Sequence, residues 1–294
     1  MNAKLPIILT IIIVISAVVI VFATTQNAMK ANNSNNSTDS PYTLSQYTTL
    51  GIIHTYNISP ITNFIAYYTN NSNVSLVLSL ASQIIGNGTV KVVKVDNSYY
   101  ALLGYFKASS PLSSFAFSVI NETLVKHGFN FSQYNSLLYD YKNNTAFGFD
   151  GYYFYVVKDN TSRNTTIFLL KYLYTSEKVF TPQPSQNVVM YGYVNGSNFT
   201  LVSMPNQLIL KANTSYYNIT HFLKYFNITI GNFSVAGKVV LKTSNIVIYS
   251  VNATYDGKEL YAMMGIKNDG NNRMSDVIIL SQEKISLNEV LNEL

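Results

Sequence analysis

Residues Leu5–Phe22, LPIILTIIIVISAVVIVF, form an uncharged run of 18 in which Thr10 and Ser16 are the polar interruptions. A run of that length reaches the lower bound, about 17–25 residues, for a helix that crosses a bilayer. Hydrocarbon offers no hydrogen bonds, so such a segment is confined to a helix. Pro6 falls in the first turn, where a missing N–H costs nothing. Lys4 and the terminal amine lie on the short side, so the excess-positive rule predicts a cytoplasmic amino end and exports everything after Ala23. A cleaved signal peptide is the competing reading, since Val21-Phe22-Ala23 approximates a small-residue cleavage site. Signal h-regions, however, run about 7–15 residues and this one is longer. Residues 1–23 are therefore read as a transmembrane anchor, with a signal peptide as the alternative.

Residues 24–43, TTQNAMKANNSNNSTDSPYT, hold almost nothing that can pack. Such a segment cannot bury enough apolar surface to offset its chain entropy, and a flexible Asn/Ser/Thr-rich stalk is expected.

The chain contains 35 Asn, and 19 of them head an Asn-X-Ser/Thr sequon with X other than Pro: Asn32, Asn35, Asn36, Asn57, Asn70, Asn73, Asn87, Asn121, Asn130, Asn143, Asn160, Asn164, Asn195, Asn198, Asn213, Asn218, Asn227, Asn232 and Asn252. Chance placement at this Ser and Thr content gives about 6. A threefold excess in an exported chain marks these residues as N-glycosylation candidates, and a modified Asn must face solvent. Two local patterns agree. Ser110-Pro111 to Gly128 reads as a helix over 111–127 with Leu112, Phe115, Ala116, Val119, Ile120 and Leu124 on one face, which leaves Asn121 on the opposite side. From Asn245 to Tyr255, Val247, Tyr249, Val251 and Ala253 alternate with Ser250, Asn252 and Thr254. Asp256-Gly257 supplies a two-residue turn, and pairing outward from it sets Ala253 opposite Leu260, Val251 opposite Ala262, Tyr249 opposite Met264 and Val247 opposite Ile266.

The exported part divides into two domains near Thr181-Pro182-Gln183-Pro184. Both are expected to be mainly antiparallel sheet with few helices, an α+β, β-rich class. Residues 44–182 form an α+β domain with a strand near Asn63–Thr69, a hairpin across Val90–Lys107, the 111–127 helix and three strands within Leu137–Tyr174. An Asp150-Gly151 turn joins two of these strands, and Asn160 and Asn164 lie between the last two. Residues 183–294 form a β-rich domain with strands at Val188–Val194, Gln207–Lys211, Phe226–Ile230, Val235–Leu241, the 245–267 hairpin and Asp276–Leu280. It ends in a helix opened by the capping box Ser286…Glu289, with Ile285 and Val290 as its staple. Pro60…Asn63-Phe-Ile-Ala-Tyr67 echoes Pro184…Asn187-Val-Val-Met-Tyr191, and Tyr100–Gly104 echoes Tyr261–Gly265, so the second domain is a candidate diverged repeat of the first.

The side chains limit the available chemistry. With no Cys there is no disulfide, thiolate metal site or Cys nucleophile. No zinc-protease, serine-hydrolase, phosphate-loop or calcium-loop motif occurs. His54, His127 and His221 are far apart in sequence, and His127 falls in the last turn of the 111–127 helix. Among the acids, Asp96, Asp150 and Asp256 read as turn residues and Glu289 as a cap, leaving Asp140 and Glu177 for acid–base work. Of 19 basic residues 17 are Lys, and they are unclustered, so nucleic acid is excluded as a partner. Tyrosine pairs such as Tyr67-Tyr68, Tyr99-Tyr100, Tyr152-Tyr153 and Tyr216-Tyr217 fit alternating strand faces, or an aromatic surface for sugar or protein. No catalytic, cofactor-binding or metal residue is assigned, and no cofactor is expected.

The anchor, stalk, dense sequons, abundant Tyr, scarce charge and missing Cys together resemble cell-surface glycoproteins of thermoacidophilic archaea. The resemblance is one of composition and layout, and it implies an acidic exterior. The expected function is that of a non-enzymatic, single-pass, extracellular envelope glycoprotein whose partners are the membrane and envelope proteins or glycans. An exported sugar- or peptide-binding module or hydrolase on the same anchor is the alternative, and a filament subunit a third. Cleavage after Ala23 would make the protein secreted.

Overall fold

Alternating apolar and polar residues joined by Asn, Asp and Gly turns dictate strands through most of the chain, and the structure follows them. The computed structural model describes residues 47–68, 85–94, 100–109, 130–142, 144–159, 162–194, 196–215, 225–230, 233–255, 258–270 and 273–294. The Leu5–Phe22 run, the stalk, the 111–127 helix and the Asp256-Gly257 turn lie outside them. Among the described residues no helix is long and apolar enough to cross a membrane. The fold is β-rich and antiparallel with few helices, as expected.

The chain separates into two units, one drawn from Met1–Ile52 and Leu80–Phe180, the other from Ile53–Ser79 and Thr181–Leu294. The division falls inside β1 (Thr48–Thr55).

In the first unit β2 (Ile85–Lys94) and β3 (Tyr100–Ala108) form the hairpin expected across Val90–Lys107. Next come β4 (Ser132–Tyr134), β5 (Leu137–Lys142), β6 (Thr145–Phe149) and β7 (Tyr153–Asp159), and the ladder runs β2-β3-β7-β6-β5-β4. Asn135 and Asn144 take positive φ (53° and 59°) at tight turns, a conformation Asn tolerates better than most residues. Helix α2 (Arg163–Thr175) lies on β7, β6 and β3. The core beneath it joins Leu103, Tyr105, Leu137, Ala146, Tyr155 and Val157 of the sheet to Leu169, Leu170 and Leu173.

Helix α2 corrects the expected third strand before Tyr174. Its isoleucine, phenylalanine and tyrosine content suits a strand, but Thr166, Leu169, Leu170 and Leu173 are buried at helical spacing. Ser162 Oγ caps the start by accepting from Thr165 N at 3.1 Å. Asn164 therefore stands in the first helical turn rather than between two strands.

In the second unit α1 (Ser59–Tyr68) replaces the expected strand near Asn63–Thr69. The side-chain oxygen of Asn57 accepts from Ser59 N at 2.9 Å, and Pro60 falls where a free N–H would go unused. Ile61 and Phe64, three apart, are both buried. The Pro60 echo therefore lies in a helix while its Pro184 counterpart leads into a strand; Tyr100–Gly104 and Tyr261–Gly265 both lie in strands.

The ladder of this unit runs β11-β12-β13-β14-β15-β10-β9-β8. Its strands are β8 (Val188–Val194), β9 (Ser197–Met204), β10 (Gln207–Ser215), β11 (Tyr225–Ile230), β12 (Phe233–Lys242), β13 (Ile246–Tyr255), β14 (Lys258–Gly270) and β15 (Arg273–Ser281). The β13–β14 register pairs Ala253 with Leu260, Val251 with Ala262, Tyr249 with Met264 and Val247 with Ile266, all as read from the sequence. Strand β9 was not anticipated, although Asn195-Gly196 before it is a hairpin signal and Gly196 has φ +79°.

Helix α3 (Leu287–Glu293) carries the capping box at Ser286 and Glu289. Val290, Leu287, Leu294 and Ile285 pack with Ile209, Ile248, Val277 and Ile279 on one sheet face. Val247, Tyr249, Ala262, Ile266 and Met274 form a separate cluster on the other. Gly265 lets α3 approach: a Cβ there would stand 2.7 Å from Val290 Cγ1 and 2.8 Å from Leu294 Cδ1.

Candidate functional site

The sequon asparagines are the strongest signal in the sequence. Six have described side chains, Asn57, Asn87, Asn130, Asn164, Asn198 and Asn213, and all six are exposed. Asn227 and Asn252 lie in β11 and β13 without a described side chain. The remaining eleven lie outside the described residues.

Asn198 and Asn213 hold the most constrained positions. They sit within β9 and β10, directly paired in register, so pleating sends both side chains to one face. The same row runs from Tyr193 of β8 through Asn198 and Asn213 to Ser275 of β15 and Lys267 of β14. A second row joins Tyr191, Thr200 and Lys211. Farther along this face the side chains turn apolar where α3 covers them, and Lys211 pairs with Glu293 at that border. The intervening residues of β8 and β9, Met190, Gly192, Val194, Phe199 and Leu201, are buried on the reverse face. Sequence reading found both sequons but not their pairing, which depends on β9.

The aromatic cluster of the first unit is built differently. Tyr155 donates its hydroxyl to Asp150 Oδ2 at 2.7 Å, and Asp150 Oδ1 accepts from Tyr152 N and Tyr153 N, each at 2.8 Å. Burial, reinforced by that acceptor, pushes the Tyr155 phenol far above its ordinary range, so it stays a donor. Lys178 Nζ lies 5.2 Å from the centre of the Tyr155 ring and donates to the Tyr174 and Ser176 carbonyls at the end of α2. Burial lowers its pKa, opposed by Asp150. Tyr105 donates to Val179 O at 2.7 Å and accepts from Val179 N at 2.9 Å. Lys171 sits 4.7 Å from the centre of the Tyr134 ring. These polar groups satisfy one another and lock α2 and its following segment onto the sheet. Tyr152, in the turn before β7, is 65% exposed, whereas Tyr153, the first residue of β7, packs against Phe180.

The acids considered for catalysis have local settings. Asp140 Oδ1 accepts from the adjacent Tyr141 N at 2.7 Å, and Glu177 is exposed. His54 Nε2 lies 3.2 Å from Thr181 Oγ1, and burial lowers the imidazole pKa. His127 and His221 lie outside the described residues. Among the described residues no group of three or more His, Asp and Glu side chains could hold a metal ion.

No known family model matches the chain, and no curated protein matches its sequence. Among solved structures it is similar to crystal form III of TP0453, at 12% identity over 87% of this chain and 99% of that one, with a TM-score of 0.39. Crystal form I of the same protein gives 8% identity over 84% and 92% with a TM-score of 0.40. The immunity protein TplEi of the T6SS of Pseudomonas aeruginosa gives 9% identity over 70% and 90%, with a TM-score of 0.23. At such scores neither protein's role transfers to this chain.

Proposed function

We propose that the protein is a non-enzymatic, membrane-anchored glycoprotein of the cell envelope, held by Leu5–Phe22 as a single-pass helix, with the bulk of the chain outside the cell. Its two β-rich domains, raised on the residue 24–43 stalk, carry N-linked sugars and contact other envelope proteins or glycans. The observation that carries this reading is the exposure of Asn198 and Asn213 within paired strands, in a chain with a threefold excess of sequons. Strand alternation leaves these asparagines exposed, beyond the part of their face that α3 covers, while their sequence neighbours Phe199 and Ala212 are buried on the other face. Scarce carboxylates fit the acidic exterior that the thermoacidophilic type implies, because few ionised acids are available to lose their contribution on protonation.

The test is the mass of the protein isolated from its native membrane. It should exceed the 32.9 kDa of the polypeptide and collapse after deglycosylation. It should also leave the membrane only with detergent. A native mass equal to the polypeptide would remove the main support, and release by salt alone would sink the anchor. The acidic setting predicts far-UV circular dichroism nearly unchanged from neutral pH to about pH 3, and unfolding in that interval would count against it.

A further inference from the structure

Six aromatic side chains among the described residues are exposed: Tyr67, Tyr152, Phe168, Tyr172, Tyr191 and Tyr193. Singly exposed rings are ordinary, but neighbouring ones on one face make an apolar patch that a ligand can cover. Two of the six, Tyr193 and Phe168, adjoin a sequon asparagine, and Tyr191 and Tyr172 lie one step farther along the same faces. Tyr193, 43% exposed, is the direct cross-strand partner of Asn198, and Tyr191, 40% exposed, pairs with Thr200 of the same sequon. Directly opposed residues bring their Cβ atoms within about 4.5–5.5 Å, which a single sugar ring spans. On α2, Phe168 follows Asn164 by four residues and Tyr172 by eight, and all three are exposed on one helical stripe. Helical side chains lean toward the amino end, so Phe168 leans back toward Asn164.

We propose that Asn198 carries an N-linked glycan whose first sugars lie over the Tyr193 and Tyr191 rings, covering the exposed aromatic patch of the second unit. This rests on the glycoprotein reading and specifies one acceptor and what its sugar covers. A pyranose has one face of C–H groups. Such a face suits a phenol ring. Asn198 and Thr200, two apart in a strand, lie on the same face. In the transfer, Asn198 Nδ2 bonds to the anomeric carbon of a lipid-phosphate-linked oligosaccharide. The C–O bond to the lipid phosphate breaks, that phosphate leaves with the electron pair, and the amide nitrogen gives up one proton to solvent.

The paired sequon offers a different setting. Asn213 lies between Asn198 and Ser275, whose Oγ donates to Asp269 and stands 3.3 Å from Asn213 Oδ1. Its two direct neighbours are polar, so a glycan there has no ring to cover. Asn198 is flanked by a tyrosine, and its sugar gains apolar contact as well as water.

The experiment maps glycopeptides of the native protein by mass spectrometry, then footprints its tyrosines with hydroxyl radicals before and after enzymatic deglycosylation. Tyr191 and Tyr193 should react several-fold faster once the sugar is removed, while Tyr152 stays constant as the exposed control. The Asn198→Gln variant, with its fold checked by far-UV circular dichroism, should match the deglycosylated protein at Tyr191 and Tyr193. Asn213→Gln should leave their protection intact. An occupied Asn198 with unprotected tyrosines overturns the proposal, as does an unoccupied Asn198 in a protein glycosylated elsewhere. Absence of sugar at every sequon overturns the glycoprotein reading itself.

Discussion

Asp150 closes the β6–β7 turn with one oxygen and serves a buried hydroxyl with the other, so its replacement separates two kinds of hydrogen bond. Asp150→Ala removes the acceptor of Tyr152 N and Tyr153 N, both within reach of water. It also strips the partner of Tyr155 OH, whose side chain is 1% exposed beneath α2. Water replaces the first two at modest loss, but the phenol, too weakly acidic to ionise, is left as a donor in the core. Leaving such a group unsatisfied costs about 1–3 kcal/mol, and with the turn bonds the variant should lose about 2–4 kcal/mol. Asp150→Asn keeps a carbonyl for the two backbone N–H groups and turns its amide to the phenol, which can accept instead. Its cost should be about 1 kcal/mol. Tyr155→Phe removes the stranded donor, so in the double variant with Asp150→Ala the losses should fall short of their sum by about 1–2 kcal/mol. Urea unfolding of the full chain, followed by the near-ultraviolet circular dichroism of tyrosine, measures these differences. Strict additivity in the double variant, or an Asn variant as unstable as the Ala variant, would refute the account.

Three further outcomes follow from packing and titration. Leu170→Ala empties a fully buried position between α2 and its sheet and should cost about 2–5 kcal/mol in the same unfolding assay. Gly265→Ala puts a methyl into Val290 and Leu294, so α3 must shift, at about 1–3 kcal/mol and with faster amide exchange in residues 287–293. Glu289 is held below its ordinary 4.5 chiefly by the backbone N–H of Ser286. Its contribution is therefore present above that value and lost as pH falls through the lower folded one. Glu289→Ala should be less stable than wild type at pH 7 and indistinguishable at about pH 2.

The β13–β14 register was legible because three local signals agreed: period-two alternation, an Asp-Gly turn and an uninterrupted apolar face. The capping box at Ser286 was legible for a similar reason, since both partners lie within three residues. The expected strands at Asn63–Thr69 and before Tyr174 failed where residue type and periodicity disagreed. Aromatic and β-branched residues favour a strand on a half-buried surface, yet Ser162 and Asn57 cap the chain into helices, and burial at i, i+3, i+4 and i+7 selects α2. Ser110-Pro111 through Gly128 lies outside the described residues.

By itself the sequence determined the antiparallel β-rich class, the final capped helix, the positions of 19 sequons and the absence of thiol chemistry. Each of these depends on residue type or on partners a few positions apart. Only the tertiary structure decided that Asn198 faces Tyr193 on one side and Asn213 on the other, and that Asp150 holds a phenol five residues away in the core. A strand's own pattern shows which residues share a face. Which strand lies beside it, and so what each exposed asparagine touches, is set by packing among segments distant in the chain.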